Sequence, residues 1–344
     1  MNKTPKASII IAVGPWNSYL DESIAHCKKL NYPDYEIIVL PDEYEGIPLE
    51  GVTIIPTGKK SSPGYKRDLG VQNSSGEILA FLDDDAYPIT DWLTKAVEVF
   101  QSDESIGAVG GPAVTPPLDG IGPQASGLIY SSCLVGGTYR FRYIPQARRE
   151  VDDYPTCNLL VRRDIFEAIG GFDTGFWPGE DTKLCLEITI RMKKKIVYDP
   201  GVFVYHHRRR MYKPHLRQVW NYGLHRGHFV KRFPETSFRL SYFLPSIWVI
   251  GLLTGWITYW IHSILFGLYL GVIVFYLAIA LGTALLSNPY ETGHPDSGQL
   301  SFGDNIKLRW YIFSGLAATH FVYGAWFIRG LLASHLPEEQ SLRD

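Results

Sequence analysis

At 344 residues the chain is too long for one typical domain and has length for about two. Its 33 Lys and Arg against 35 Asp and Glu give a formal net charge of -2, which argues against a basic nucleic-acid binder. Four cysteines (Cys27, Cys133, Cys157 and Cys185) lack paired or metal-type spacing, which argues against a disulfide framework and suits a reducing compartment.

The even balance conceals a division. From Arg191 to Arg239 there are thirteen Lys and Arg against two acids, Asp199 and Glu235, with five of the ten histidines. After Arg239 no Asp, Glu, Lys or Arg occurs until Glu291. That uncharged block is long enough for about two membrane-spanning helices of roughly 20 residues each.

In chain order, Ala7–Val13 reads as a buried strand closed by Gly14-Pro15, too short for a hydrophobic signal core. Asn17–Leu30 has helical spacing, with Leu20, Ile24, Cys27 and Leu30 on one side. Glu36–Leu40 is a second strand, ending in Pro41-Asp42-Glu43, and Val52–Ile55 a third. Asp42, just past a strand end, is either a turn residue or a partner for a ribose hydroxyl or a base N–H. A helix around Tyr65–Ser74 leads to Gly76–Pro88, the stretch around which the rest is organised. There the unbroken apolar run Ile78–Leu82 predicts a strand buried on both faces, and it feeds straight into Asp83, Asp84 and Asp85. Ligands of open α/β sheets gather at the carboxyl ends of strands. Three adjacent carboxylates there repel one another unless a cation sits among them, and hard oxygen donors favour Mg²⁺ or Mn²⁺. The competing reading is a solvated acidic turn.

Thr90–Phe100 is an amphipathic helix, and Val109–Pro117 a strand with a Gly/Pro-rich loop. Residues 120–149, carrying Tyr130, Tyr139, Phe141 and Tyr143, are poorly patterned and predict an irregular acceptor-side segment. Cys157–Val161 is a strand, Arg163–Ile169 a short helix, Gly170–Asp173 a turn and Lys183–Met192 a helix. Glu180-Asp181 either cap that helix or supply a general base, which must be ionised and within reach of a proton. Ile196–Tyr198 and Val202–Tyr205 are further strands, the second running into His206-His207 and Arg208-Arg209-Arg210. The histidines are of a metal-ligating type. The arginines either clamp phosphates or face anionic headgroups. A helix over Leu216–Lys231 carries Gln218, Trp220, Tyr222, His225, Arg226 and His228. Strands alternating with helices predict an α/β domain with a parallel sheet.

Residues 242–261 and 264–286 have spanning length, and 310–332 either spans a third time or lies in the interface. The basic collar beside the first span places the preceding domain in the cytoplasm by the positive-inside tendency. The expected division is a cytoplasmic domain over 1–235 with a collar over 191–239, a membrane part over 240–333, and a tail over 334–344. His320 is expected to be buried between helices.

Taken together, these residues resemble the family 2 glycosyltransferases of the GT-A fold, a Rossmann-like mixed sheet flanked by helices, here followed by C-terminal transmembrane helices. The resemblance rests on ordered pieces: Asp42, Lys66-Arg67-Asp68-Leu-Gly70, Phe81-Leu-Asp-Asp-Asp85, Gly170-Gly-Phe-Asp173, Gly179-Glu-Asp181, and His206-His207 before Tyr222-Gly223. It implies a hexosyltransferase-type enzyme that is inverting and metal-dependent. Asp42 and Arg67 would line the nucleotide pocket, with Asp83 and Asp84 at the nucleotide end. Asp85, with Asp83 and His206 or His207, would hold a divalent ion, Mg²⁺ or Mn²⁺, at the diphosphate. Asp181 would be the catalytic base with Glu180 beside it. Asn158 and Trp177 are sugar-contact candidates, and Arg209 and Arg226 further nucleotide-sugar contacts. The implied partners are a nucleotide-diphosphate sugar, a lipid-linked or glycan acceptor, and membrane lipid. Rival readings are a processive polysaccharide synthase, a polyprenyl-phosphate glycosyltransferase, and a non-catalytic nucleotide-sugar-binding membrane scaffold. Gln218-Val-Trp-Asn-Tyr stands where processive synthases carry Gln-x-x-Arg-Trp, and Ala86-Tyr87 where polyprenyl-phosphate enzymes usually carry Leu-Gln. An intact set of acids and histidines weighs against the scaffold.

Overall fold

The computed structural model describes residues 4–58, 61–172, 179–288 and 300–336. Two compact units emerge, one built from Met1–Val114 with Ile144–His207, the other from Thr115–Tyr143 with Arg208–Gln340. The break in packing therefore falls after His207, and residues 115–143 join the second unit.

The chain opens with β1 (Ala7–Ala12), α1 (Ser18–Cys27), β2 (Tyr35–Leu40), β3 (Val52–Ile54), α2 (Pro63–Gln72) and β4 (Ile78–Asp83). Then come β5 (Ala86–Pro88), α3 (Trp92–Ser102), β6 (Ile106–Gly110), β7 (Ala113–Val114), α4 (Ile121–Ser131) and β8 (Arg149–Val151). Next are β9 (Asn158–Arg162), α5 (Arg163–Ile169), α6 (Glu180–Leu186), β10 (Lys195–Tyr198) and β11 (Val204–His206). The remaining described elements are helices: α7 (Lys213–Arg232), α8 (Pro234–Ser237), α9 (Leu240–Thr254), α10 (Thr258–Ile261), α11 (Ser263–Leu286) and α12 (Phe302–Leu332).

In the first unit eight strands form one sheet in the order β3-β2-β1-β4-β9-β6-β10-β8. β3, β2, β1 and β4 run parallel, with Ala12 of β1 opposite Asp83 of β4, so the acids emerge at the carboxyl edge of a parallel half-sheet. The parallel expectation fails at β9, which is antiparallel to both β4 and β6, and at β8, antiparallel to β10. An apolar run such as Leu159–Val161 reports burial on both faces and carries no information on direction. A second sheet, β5-β11-β7, pairs His206 with Ala86 and Tyr205 with Tyr87. That pairing lays a strand from late in the chain beside Asp85.

Local chemistry explains how α1 and α2 reach the same edge. The Asn17 side chain caps α1 by accepting from the N–H groups of Tyr19 and Leu20. Ser62 caps α2, and Pro63 opens it. Gly70 lets α2 lie against the sheet, since a Cβ there would stand 2.6 Å from Ile10 Cγ2. Burial of α2's inner face therefore carries Lys66 and Arg67 beneath the strand ends.

In the second unit, residues 120–149 prove less irregular than their pattern indicates. They contain α4, an eleven-residue helix, and a 3-10 turn over Gly137–Arg142. The small residues Gly122, Ala125, Ser126 and Gly127 hide its helical period. Gly127 permits close approach, because a Cβ there would stand 2.0 Å from Thr115 Oγ1. Buried His215 of α7 ties the helices together, with Nδ1 2.7 Å from Ser126 Oγ of α4 and Nε2 2.9 Å from Thr319 Oγ1 of α12. His320 is buried as expected, within 2.8 Å of the Tyr276 hydroxyl and 2.9 Å of Leu134 O. Among the described residues three helices, Leu240–Ile261, Ser263–Leu286 and Phe302–Leu332, are long and apolar enough to cross a membrane.

Candidate active site

The site of the first unit is built around one buried cation. Arg67, 4% exposed, donates from Nη2 to Asp83 Oδ1 and from Nη1 to Glu180 Oε1, each at 2.9 Å. Burial opposes its charge, but Asp83, Glu180 and Asp181 more than offset that and raise its pKa. The carboxylate pair that starts α6 and the acids that end β4 therefore share one electrostatic environment. Beneath Arg67 lies Phe172, its ring centroid 5.7 Å from the guanidinium carbon. Phe172 is positioned by Gly170 and Gly171, both with positive φ, and by its N–H donating to Asp68 Oδ1 at 3.1 Å. The Lys66–Gly70 and Gly170–Phe172 motifs are thus two halves of one support.

The three acids are not equivalent. Asp85 Oδ1 lies 3.0 Å from His206 Nε2, and Asp83, Asp85 and His206 each offer a ligand atom within 4.8 Å of the others. Two carboxylate oxygens and an imidazole nitrogen fit a first-row divalent ion such as Mn²⁺. Asp84 instead accepts from Asn17 Nδ2 at 2.7 Å. At the neighbouring strand end, Lys66 Nζ donates to Asp42 and to Val13 O, which anchors the Asp42 carboxylate. Glu180 also accepts from the Gly179 N–H at 3.0 Å, and Asp181 Oδ1 from the Thr182 N–H at 2.7 Å.

Two expectations are corrected. Asn158 is fully buried and donates to Gly111 O and Val202 O, each at 2.7 Å, while accepting from Trp92 Nε1 at 2.9 Å. Its amide is committed to the core, so it is not a sugar contact. Of the two histidines, His206 joins the acids, whereas His207 Nε2 pairs with Glu22 Oε2 at 2.9 Å. Arg209 and Arg226 belong to the second unit, and Trp177 lies outside the described residues. Sequence reasoning assigned no role to Asn17, Glu22 or Lys66. Each sits on a helix that follows or supports a strand end, and its reach across the sheet edge is a tertiary fact.

An acid cluster at the edge of this mixed sheet, tied by an arginine to a carboxylate pair at a helix start, defines a GT-A-type domain. Residues 8–170 match the model described as Glycosyl transferase family 2, and that segment belongs to the family. The structure is similar to the mannosyltransferase PcManGT from Pyrobaculum calidifontis, solved in complex with GDP-Man and Mn²⁺. The TM-score is 0.53 at 15% identity, covering 97% of this chain and 89% of that one, a likeness of fold alone. In sequence the chain is 23% identical over 229 residues to the pre-mycofactocin glycosyltransferase of Mycobacterium tuberculosis (strain ATCC 25618 / H37Rv), covering 64% of this chain and 46% of the relative. It therefore spans about half the length of that relative. It is also 22% identical over 219 residues to the glucosyl-dolichyl phosphate glucuronosyltransferase of Haloferax volcanii, covering 58% of this chain and 69% of the relative.

Proposed function

We propose that this protein is an inverting, metal-dependent glycosyltransferase. It moves a sugar from a nucleoside-diphosphate donor to a lipid-linked saccharide at the cell membrane, in envelope glycan or glycolipid assembly. The observation that carries this is Arg67 joining Asp83 to Glu180 while His206 lies against Asp85.

Asp83, Asp85 and His206 would hold the divalent ion, Mn²⁺ or Mg²⁺. Bound there, such an ion neutralises charge on a departing diphosphate. Asp42, anchored by Lys66, meets the nucleoside. Arg67 holds Asp83 and Glu180 in place and lends positive charge to the same pocket. The acceptor hydroxyl's proton goes to Asp181, which stands beside Glu180 in the first turn of α6. The oxygen so exposed attacks the anomeric carbon as the bond to the diphosphate breaks, which inverts that centre without a covalent enzyme intermediate.

Three apolar helices and the dolichyl-linked acceptor named for the Haloferax relative support a lipid-linked acceptor. The basic collar supports a catalytic domain on the cytoplasmic face. Thermal shift of the full chain with UDP, GDP and dTDP, with and without Mn²⁺, tests the donor side. Stabilisation by at least one diphosphate, abolished by EDTA, is expected; metal-independent binding of all three overturns the assignment. On the acceptor side, equal transfer to soluble and lipid-linked saccharides overturns the lipid reading.

A further inference from the structure

Within the second unit, the place of α12 is decided by what packs along it. By length and composition it could cross a membrane, but α7 lies beside it, running in the same direction. His215 Nε2 meets Thr319 Oγ1 at 2.9 Å, and the Trp220 and Trp326 rings stack with centroids 4.4 Å apart. Small residues make the approach close: a Cβ on Gly223 would stand 2.7 Å from Tyr323 O, and one on Gly330 would collide with Leu224 O. This register puts Lys213 level with Ala317, the midpoint of α12, and Arg217 one turn further on. Lys213 and Arg217 share the outer side of α7, with Arg210 just before the helix, and all three are exposed. Among the described residues no acid lies within ion-pair distance of any of them.

Were α12 to span, two exposed and unpaired cations would sit near the bilayer midplane. Charged side chains at that depth face a protein interior or a water-filled cavity and pair there. Composition agrees, since mean hydropathy reaches 1.2 in α12 against 1.5 in Leu240–Ile261 and 2.6 in Ser263–Leu286. Only His262 separates those two apolar segments, so they form a hairpin whose open end carries Leu240 and Leu286. Near its own start α12 meets the last turn of α11, where Arg309 Nη1 donates to Ala284 O at 2.7 Å and to Ser287 O. Further along it meets the first turns of α9. Gly324 O accepts from Ser246 Oγ at 3.0 Å, and the Phe327 and Phe243 rings lie 4.9 Å apart. The helix thus reaches from one leg of the hairpin to the other at the open end, which in a spanning hairpin lies at headgroup depth.

We propose that α12 does not cross the bilayer but lies with α7 in the headgroup layer, where Arg210, Lys213 and Arg217 meet the phosphates of anionic lipids. The membrane then holds two spans, and the residues before α9 and after α12 face the same side. This rests on the membrane placement proposed above and not on the reaction.

The full chain, with exposed Cys133 replaced by Ser, is studied in sealed vesicles of single orientation with a membrane-impermeant maleimide. Glu235→Cys, before α9, and Ser334→Cys, after α12, are expected to react from the same side, and Ser263→Cys at the hairpin turn only from the other. Ser334→Cys reacting only from the Ser263→Cys side overturns the proposal. Ser263→Cys reacting from the Glu235→Cys side overturns the membrane placement and the proposal with it, without touching the donor site. In a second measurement, nitroxides on Lys213→Cys and Arg217→Cys are expected to collide with a water-soluble nickel complex in preference to oxygen. The reverse preference at both positions places them in hydrocarbon and also overturns the proposal. For the headgroup contact, association of spin-labelled phosphatidylglycerol is compared with that of spin-labelled phosphatidylcholine. Its preference is expected to fall about twofold or more when Arg210→Gln, Lys213→Gln and Arg217→Gln are combined, because basic residues near the surface attract anionic lipid. An unchanged preference in that variant, with helicity and elution volume as in the unaltered chain, overturns the contact.

Discussion

Arg67 and Glu180 are 113 residues apart in the chain and 2.9 Å apart in the structure, both almost fully buried. Removing the cation leaves an ionised carboxylate in the interior, which costs about 3–5 kcal/mol in comparable buried pairs. Arg67→Met is therefore expected to lower unfolding free energy by an amount of that order, as read by denaturant titration. Adding Glu180→Leu should recover a substantial part, because the stranded charge is then gone. A single variant as stable as the original chain would mean that the pair holds nothing together.

The acids at the end of β4 differ in what they touch, so they should differ on substitution. Asp85 faces His206, whereas Asp84 accepts from Asn17. Asp83→Asn or Asp85→Asn is expected to weaken Mn²⁺ binding by about 100-fold or more, since each would remove a charged ligand of the proposed site. Asp84→Asn should change it by less than about tenfold, the lower end of losses seen for supporting groups around metal sites. Manganese titration followed by electron paramagnetic resonance reads all three on one scale.

The unequal roles of those acids mark where the sequence stops being informative. The run Ile78–Leu82 and the acids after it announce a strand end with a ligand, because burial and charge are written locally. Which acid faces inward depends on β11 pairing with β5, a contact between residues some 120 apart in the chain, and no local pattern encodes it. Asn158 illustrates the opposite failure. The family resemblance implies a sugar contact at this position, yet the amide bonds two carbonyls and an indole in the core. The antiparallel course of β9 was hidden for the same reason, since burial does not reveal direction. Around residues 120–149, small residues replace the large apolar ones that make a helix visible. Gly170 and Gly171 were legible as a turn, but their task of seating Phe172 under Arg67 was not.

In the proposed reaction Asp181 accepts the acceptor hydroxyl's proton, and the amide isostere tests this. Asp181→Asn is expected to lower turnover by about 10²–10⁴, the usual contribution of a general base. Binding of the donor nucleotide with Mn²⁺ should stay within a few-fold, because Asp181 lies outside the three-ligand group. Rate and affinity are measured on the same preparation. Unchanged turnover would move the base elsewhere, and for a non-catalytic scaffold there would be no turnover to lose.

His215 predicts a pH dependence in the second unit. Its ring is buried between Ser126 and Thr319, and burial lowers its pKa from 6.5 to about 4. Between those values the unfolded chain binds a proton that the folded chain refuses, so stability rises with pH across that window and is lost as pH falls from about 6.5 toward about 4. A shift of this size corresponds to about 3 kcal/mol at most. Thermal unfolding of the full chain in detergent should therefore show a midpoint that declines over that range. In His215→Gln the decline should flatten, with some stability lost at every pH because the hydroxyls of Ser126 and Thr319 are bonded less well. A variant that kept the full slope would assign the titration to another group.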